Sequence, residues 1–342
     1  MGFFRALGAL LKYSEDQPRD ERGRFGSGGE GTSTFHGTTE DSVSKYSEDQ
    51  ERDESGRWSS GGGGTAVERV AGTWRVAGGT ALSARDVARL DAMRVPPAWT
   101  GVRLSPDPES DLQVVGVDSK GRTQYVYSAE HSERAAAEKF ERLREFQKAL
   151  PGIRRRVAAD IRNKSLPRAT REAAVVTHLI ERTGFRVGSD SETGGAVRAY
   201  GASTLEARHV RVDGDRVSFN FVGKKGVEVE KTVTDRTLAR ELAPRVRAGG
   251  RLFGTTDAGV RDYVHARAGD YFKVKDFRTW QGTTTAIKEV RAMPVPRTQG
   301  AFRREQAAVS RVVAAHLGNT PAVARASYID PAVWGRWKAA VA

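Results

Sequence analysis

The hydrophobic period of this chain changes near residue 130, and that change limits what it can fold into. Before it, Leu112, Val114 and Gly116 alternate with Gln113, Val115 and Val117. After a Ser119-Lys120-Gly121 turn, Thr123, Tyr125 and Tyr127 fall on one face. A period of two belongs to strands, so the two runs form a hairpin. Its exposed face carries either Arg122 and Gln124 or the two tyrosines, depending on register. Strand-like patterning reaches back to Val67, with further turns at Gly78-Gly79 and Pro96-Pro97. Beyond Glu133, Phe140, Leu143, Phe146 and Leu150 recur at spacings of three and four, the mark of a helix face. Pro151 breaks that run, and Ile153, Val157 and Ile161 continue it afterwards.

Helical patterning fills most of the remainder, with one interruption. Residues 209–212, 216–222 and 227–233 read as three short strands, separated by Asp213-Gly214-Asp215 and Gly223-Lys224-Lys225-Gly226 turns. The expected fold class is therefore α+β. A small β-rich domain spans 66–130, and a mainly α-helical domain with a small three-stranded antiparallel sheet spans 131–342.

Residues 1–65 have another character. KYSEDQ occurs at 12–17 and at 45–50, and RDERGRFGSGG at 19–29 matches RDESGRWSSGG at 52–62. Two copies cannot stack a solenoid core. Glycine, serine and acidic residues dominate, so a disordered, repeat-containing acidic and Gly-rich tail is expected. Phe25 and Trp58 are either short docking points or incidental aromatics in a tether. The opening MGFFRALGALLKY has no small-residue cleavage site and reads as a short amphipathic helix, not a signal peptide.

Charge separates the same two parts. Residues 1–65 carry 8 basic and 12 acidic residues, a net of −4, whereas the rest carries 48 and 31, a net of +17. An excess of that size on the folded part is the footprint of a polyanion, and double-stranded DNA is the expected partner. The chain contains no cysteine, which excludes disulfides, thiolate-bound zinc and thiol catalysis. No apolar run approaches the roughly 20 residues of a membrane span, so no membrane partner is expected. No His, Asp and Glu cluster has ligand spacing, so neither metal nor other cofactor is expected.

Five residues stand at element ends or turns, and each has two readings. Arg186 follows a helix running to about Thr183 and either caps it or binds an anion. Lys224 is either an ordinary turn residue or a proton donor. Arg278, at a helix start, is either a surface charge beside Phe277 and Trp280 or an anion ligand. Asn319, after Gly318, is either part of a helix C-cap or a hydrogen-bond donor. Tyr328 is either a buried aromatic with a tethered hydroxyl or a nucleophile.

Taken together and in order, these blocks resemble a family. RVPPAWTGVRLSP and LQVVGVDSKGRTQYVYSAEH are followed by RTGFRVGSD, YGASTLEARHV, FNFVGKKGVEVEK, VKDFRTWQGT and LGNTPAVARASYIDP. From about Pro96 to Pro331 the sequence resembles the type IB DNA topoisomerases in their compact poxvirus and bacterial form, whose catalytic fold is shared with the tyrosine recombinases. The resemblance implies a DNA-clamping domain at 66–130 and a catalytic domain at 131–342. It implies relaxation of supercoiled DNA through a 3′-phosphotyrosyl intermediate, without ATP or metal. Tyr328 would be the nucleophile, and Arg186 and Arg278 would bind the non-bridging oxygens. Lys224 would protonate the leaving 5′-oxygen, with Lys275, one turn before Arg278, in support. Asn319 stands where the poxvirus enzymes have histidine; an amide donates a hydrogen bond but does not ionise. Gln124, Tyr125 and Tyr127 match a QY-x-Y pattern that touches DNA, although cross-strand packing accounts for them equally well.

Residues 191–201 depart from the family, with a glycine pair where a Tyr and an Asn are usual and Arg198 and Tyr200 nearby. His316 lies outside the motif and is expected to be a core or surface histidine. A tyrosine recombinase is the alternative enzyme, disfavoured because its H-x-L-R block reads KDFR here. A non-catalytic phage DNA-binding protein is the other alternative. The expected form is a monomer or C-shaped clamp around DNA. The expected setting is cytoplasmic, in the bacterial nucleoid or a phage-infected cell, with virion association a variant.

Overall fold

A computed structural model describes residues 64–119, 121–190 and 198–341, so the repeat-bearing tail and the opening amphipathic stretch lie outside the described residues. The described residues fall into two compact units that divide between Lys139 and Phe140. The α+β class expected from the patterning is the one observed.

The first unit is built on strands β1 (Thr65–Val70), β2 (Thr73–Val76), β3 (Thr100–Leu104), β4 (Leu112–Val117) and β5 (Thr123–Tyr127), in the sheet order β2-β1-β3-β4-β5. Its core is Val67, Trp74, Leu90, Val95, Val102, Leu104 and Val114, with Trp99 and Val126 packed against it. Gly116 is required there, because a Cβ would come within 2.7 Å of the Trp99 ring. The register pairs Gly116 with Gln124 and Val115 with Tyr125. Val126 therefore faces the core, and the two tyrosines point to the other face.

One element departs from the all-strand expectation. Helix α1 (Ala84–Ala92) crosses this unit and buries Leu90. Ser83 caps it, accepting from the Asp86 amide at 3.1 Å, while its hydroxyl donates to the Asp86 carboxylate at 2.8 Å. Ser83-Ala84-Arg85-Asp86 is a helix-start signal that strand periodicity overrode.

Helix α2 (Ala129–Arg162) runs through Pro151 without a break, contrary to expectation. A proline inside a helix costs about 3 kcal/mol. Here Phe140, Leu143, Phe146, Leu150, Ile153, Val157 and Ile161 form one buried stripe on both sides of it. Burying several such side chains, at about 1.5–3 kcal/mol each, outweighs the lost hydrogen bond.

Helix α3 (Arg168–Thr183) follows and is capped by Gly184 at φ +70°. Strands β6 (Val210–Asp213), β7 (Arg216–Val222) and β8 (Glu228–Thr234) make the three-stranded antiparallel sheet in sequential order. Helices α4 (Arg236–Ala248), α5 (Asp257–Ala268), α6 (Val274–Ala292), α7 (Gln299–Leu317), α8 (Pro321–Tyr328) and α9 (Gly335–Val341) complete the unit. Val217, Phe219 and Phe221 of β7 enter the same core as α3 and α6. The ring of Phe185 meets Phe219 and Phe221 edge-on, at 5.2 and 5.0 Å between centroids.

Candidate active site

The site grows from the ends of two helices. Past Gly184 the chain straightens, and the Arg186 carbonyl accepts from the Ala202 amide at 2.8 Å. Gly188 and Gly201 permit that approach, since a Cβ on Gly201 would sit 2.5 Å from Gly188 Cα. The pairing fixes the direction in which Arg186 leaves the backbone. Helix α7 ends in the same manner, with Gly318 at φ +60° and the Asn319 amide donating to Ala314 O at 2.9 Å. That 6→1 bond is the Schellman closure.

Arg186 Nη2 donates to Asn319 Oδ1 at 2.6 Å. The backbone of Asn319 thus caps α7, as one reading of the sequence had it, and its side-chain oxygen accepts from Arg186. Its Nδ2 is buried and finds no hydrogen-bond partner among the described residues. A buried unpaired donor costs about 1–3 kcal/mol, so it marks a place where an acceptor belongs.

Tyr328 is the last residue of α8, a helix started by Pro321 and the Thr320 cap, and it is 1 % exposed. The hydrogen bond that holds it is to its backbone: Thr283 Oγ1 donates to its carbonyl at 3.1 Å. Gly282 lets α6 approach that closely, because a Cβ there would come within 2.6 Å of the same carbonyl oxygen. The ring lies 5.0 Å from the Arg278 guanidinium carbon and 5.7 Å from the Lys275 ammonium. Both distances are within cation–π range.

Arg278, on α6, is 3 % exposed and donates to Gly184 O and Leu317 O. It is thus no surface charge beside its aromatic neighbours. Arg186 and Arg278 line one cleft together with Gly223, Lys231, His316 and Gly318. Lys224 opens the 3-10 turn Lys224–Gly226 that joins β7 to β8, next to Gly223 in that lining. The structure thus joins Arg186 to Asn319, and Arg278 and Lys275 to Tyr328. It puts Lys224 one residue beyond the cleft wall. Gln124, Tyr125 and Tyr127 belong to the other unit, where Tyr127 stacks on His131 at 4.6 Å and Gln124 donates to Asp118 at 3.0 Å.

The family profile described as the catalytic core of eukaryotic DNA topoisomerase I matches residues 128–332. A second profile, the N-terminal domain of bacterial DNA topoisomerase IB, matches residues 73–118. The chain belongs to the type IB DNA topoisomerases. It is 28 % identical to the DNA topoisomerase 1B of Acanthamoeba polyphaga mimivirus over 268 residues, covering 72 % of this chain and 79 % of that one. It is 28 % identical to the mitochondrial DNA topoisomerase I of Homo sapiens over 172 residues, 46 % of this chain and 28 % of that one. With DNA topoisomerase 1 of Caenorhabditis elegans it shares 23 % identity over 180 residues, 47 % of this chain and 22 % of that one.

Two features of this topoisomerase's cleft lie outside the site expected from the sequence. Lys231 lies on β8 between Val229 and Val233, on the inward side of an alternating strand. A lysine in an apolar row was the available signal. Its Nζ donates to Thr183 O at 2.6 Å and His316 O at 3.0 Å. Burial, and secondly the charge of Arg278, push its pKa down to about 8. The second feature is His316, whose Nε2 lies 3.1 Å from Gln281 Oε1. Burial first, then Lys231 and Arg278, push the imidazole down to about 4. It is a neutral interior histidine at ordinary pH, as its position outside the motif implied.

Proposed function

We propose that this topoisomerase relaxes supercoiled DNA by cutting and resealing one strand through Tyr328. The hydroxyl gives up its proton to water as its oxygen attacks a phosphodiester and forms a 3′-phosphotyrosyl bond. The bond to the 5′-oxygen breaks, and that oxygen takes a proton from Lys224 to leave as a hydroxyl. Religation is the reverse: the 5′-hydroxyl attacks phosphorus and the tyrosine departs. The phosphotyrosyl link keeps the bond energy, so the cycle uses neither ATP nor metal.

Charge concentrates on the non-bridging oxygens in the transition state. Arg186 and Arg278 supply guanidinium forks for it, and Asn319 Nδ2 supplies a neutral donor. Lys275 assists the proton transfer. The observation that carries this reading is the Arg186–Asn319 pair with its spare amide donor, together with Tyr328 beside the two cations Arg278 and Lys275.

In this reading residues 131–342 are the catalytic domain and 66–130 the clamp, which grips duplex DNA through Gln124, Tyr125 and Tyr127. The working form is a monomer closing on DNA, in the cytoplasm of a bacterium or a phage-infected cell.

The test is plasmid relaxation in EDTA without ATP. The natural enzyme is expected to relax the plasmid. Tyr328→Phe is expected to lose all relaxation while binding duplex DNA within about two-fold of the natural enzyme, since only the hydroxyl is chemical. Relaxation by the Phe form would mean another nucleophile and would sink the assignment.

A further inference from the structure

Helices α3 and α7 end side by side at the cleft, and two cations bind their last carbonyls in matched order. Lys231 takes Thr183 O and His316 O. Arg278 takes the next carbonyl of each helix, Gly184 O and Leu317 O. A helix C-terminus carries unsatisfied carbonyls and roughly half a negative charge, so two such ends repel unless cations lie between them. Arg186 stands two residues beyond Gly184, and Asn319 two residues beyond Leu317. Their 2.6 Å hydrogen bond is therefore set by how the helix ends are held.

A guanidinium has five N–H donors, and any turn that brings them to a phosphate weakens its hold on the two carbonyls. The Lys231 ammonium has three donors. Two are spent on carbonyls, and Nζ also lies 3.4 Å from the ring nitrogens of His316, which leaves nothing for a phosphate. We propose that Lys231 is a positioning residue for DNA cleavage: with Arg278 it staples the ends of α3 and α7, and it keeps Arg186 against Asn319 when Arg278 engages the phosphate. This inference rests on the reaction proposed above.

The charged and titratable groups that share its cleft are Arg186, Glu228, Glu230, Arg278 and His316. His316, at about 4, is already neutral through the neutral range. Lys231, at about 8, changes its charge on the alkaline side. A neutral amine makes weaker hydrogen bonds to carbonyls than an ammonium does.

The experiment is single-turnover cleavage of a suicide duplex from pH 6 to 10 by the full-length natural, Lys231→Met and Lys231→Arg enzymes. Duplex affinity is measured for each in the Tyr328→Phe background. The Met form is expected to cleave about 10- to 100-fold more slowly with affinity within about three-fold, the cost of a misplaced constellation. The Arg form, whose fork reaches two carbonyls, is expected to recover to within about five-fold. The natural rate should fall above about pH 8, and the Arg form should not share that fall. The proposal is overturned if the Met form cleaves at the natural rate, if the Arg form is as slow as the Met form, or if natural and Arg forms fall alike at high pH. Should the Met form not fold, the natural and Arg profiles decide alone. Relaxation by Tyr328→Phe would instead defeat the cleavage chemistry itself, whatever Lys231 does.

Discussion

The five-stranded sheet has a core of its own, made by Val67, Trp74, Leu90, Val102, Leu104 and Val114, while the three-stranded sheet has none. Val217, Phe219 and Phe221 instead enter the core that also holds α3, α6, α7 and α8. The first sheet is a self-supporting platform, so damage to it stays within its unit. The second is an outgrowth of the helical core, and its turn and its inward face both border the cleft. In the reading proposed above, a change in the second sheet therefore reaches the chemistry, and a change in the first reaches only grip on DNA.

The largest effect expected from that contrast is at Lys224. Lys224→Ala should slow single-turnover cleavage by about 10²- to 10⁴-fold while duplex affinity changes less than about three-fold, as loss of a general acid does. Cleavage at the natural rate would mean that the β7–β8 turn carries no chemistry, and the contrast would collapse.

A matched pair of core truncations comes next. Trp74→Ala and Phe219→Ala should each cost about 3–5 kcal/mol of stability. Differential scanning calorimetry should register the first in one unit's transition and the second in the other's. At saturating DNA, Trp74→Ala should still cleave, and Phe219→Ala should not at temperatures where its unit has melted. Equal loss of cleavage in both would show that the units do not fail separately.

Asn319 borders the same sheet, since Gly318 and Val229 line one cleft. Asn319→Ala should slow cleavage by about 10- to 1000-fold, the loss of one preorganised donor. Asn319→His should recover much of that and add a titration near pH 6.5 that the natural enzyme lacks. An unchanged rate for the Ala form would reduce Asn319 to a helix cap.

The smallest effect concerns pH and stability. His316 has its pKa lowered in the folded state, from 6.5 to about 4. Between those values the unfolded chain binds the proton and the folded chain does not, so stability present above pH 6.5 is lost as pH falls toward 4. Urea melts from pH 7 to 4 should show that slope for the second unit, and His316→Gln should flatten it. A Gln variant with the natural slope would assign the acid sensitivity elsewhere.

Much of this was legible in the sequence because it is local. The three strands of the small sheet and the end of α3 at Thr183 follow from short periodic runs and turn residues. Asn319 was legible as a cap because Gly318 marks the helix end. What escaped depends on partners far along the chain. The apolar spacing continues past Pro151, but the proline signals a break, and what outweighs it is the core that both halves of the stripe enter. Gly282 is an ordinary helix residue until the carbonyl of Tyr328 arrives 46 positions later. Lys231 has a role only because two helix ends, at Thr183 and His316, meet over it. The missed α1 is different, since its Ser83 signal was local but sat inside strand-like patterning.

The 2.6 Å bond from Arg186 to Asn319 joins positions 133 residues apart. Until α3 and α7 are docked, the chain holds an arginine without its amide, and until α6 and α8 are docked, a tyrosine without its cations. On the reaction proposed above, competence to nick DNA then appears and disappears together with the native fold, and a denatured or half-made copy is a basic polymer and not a stray nuclease.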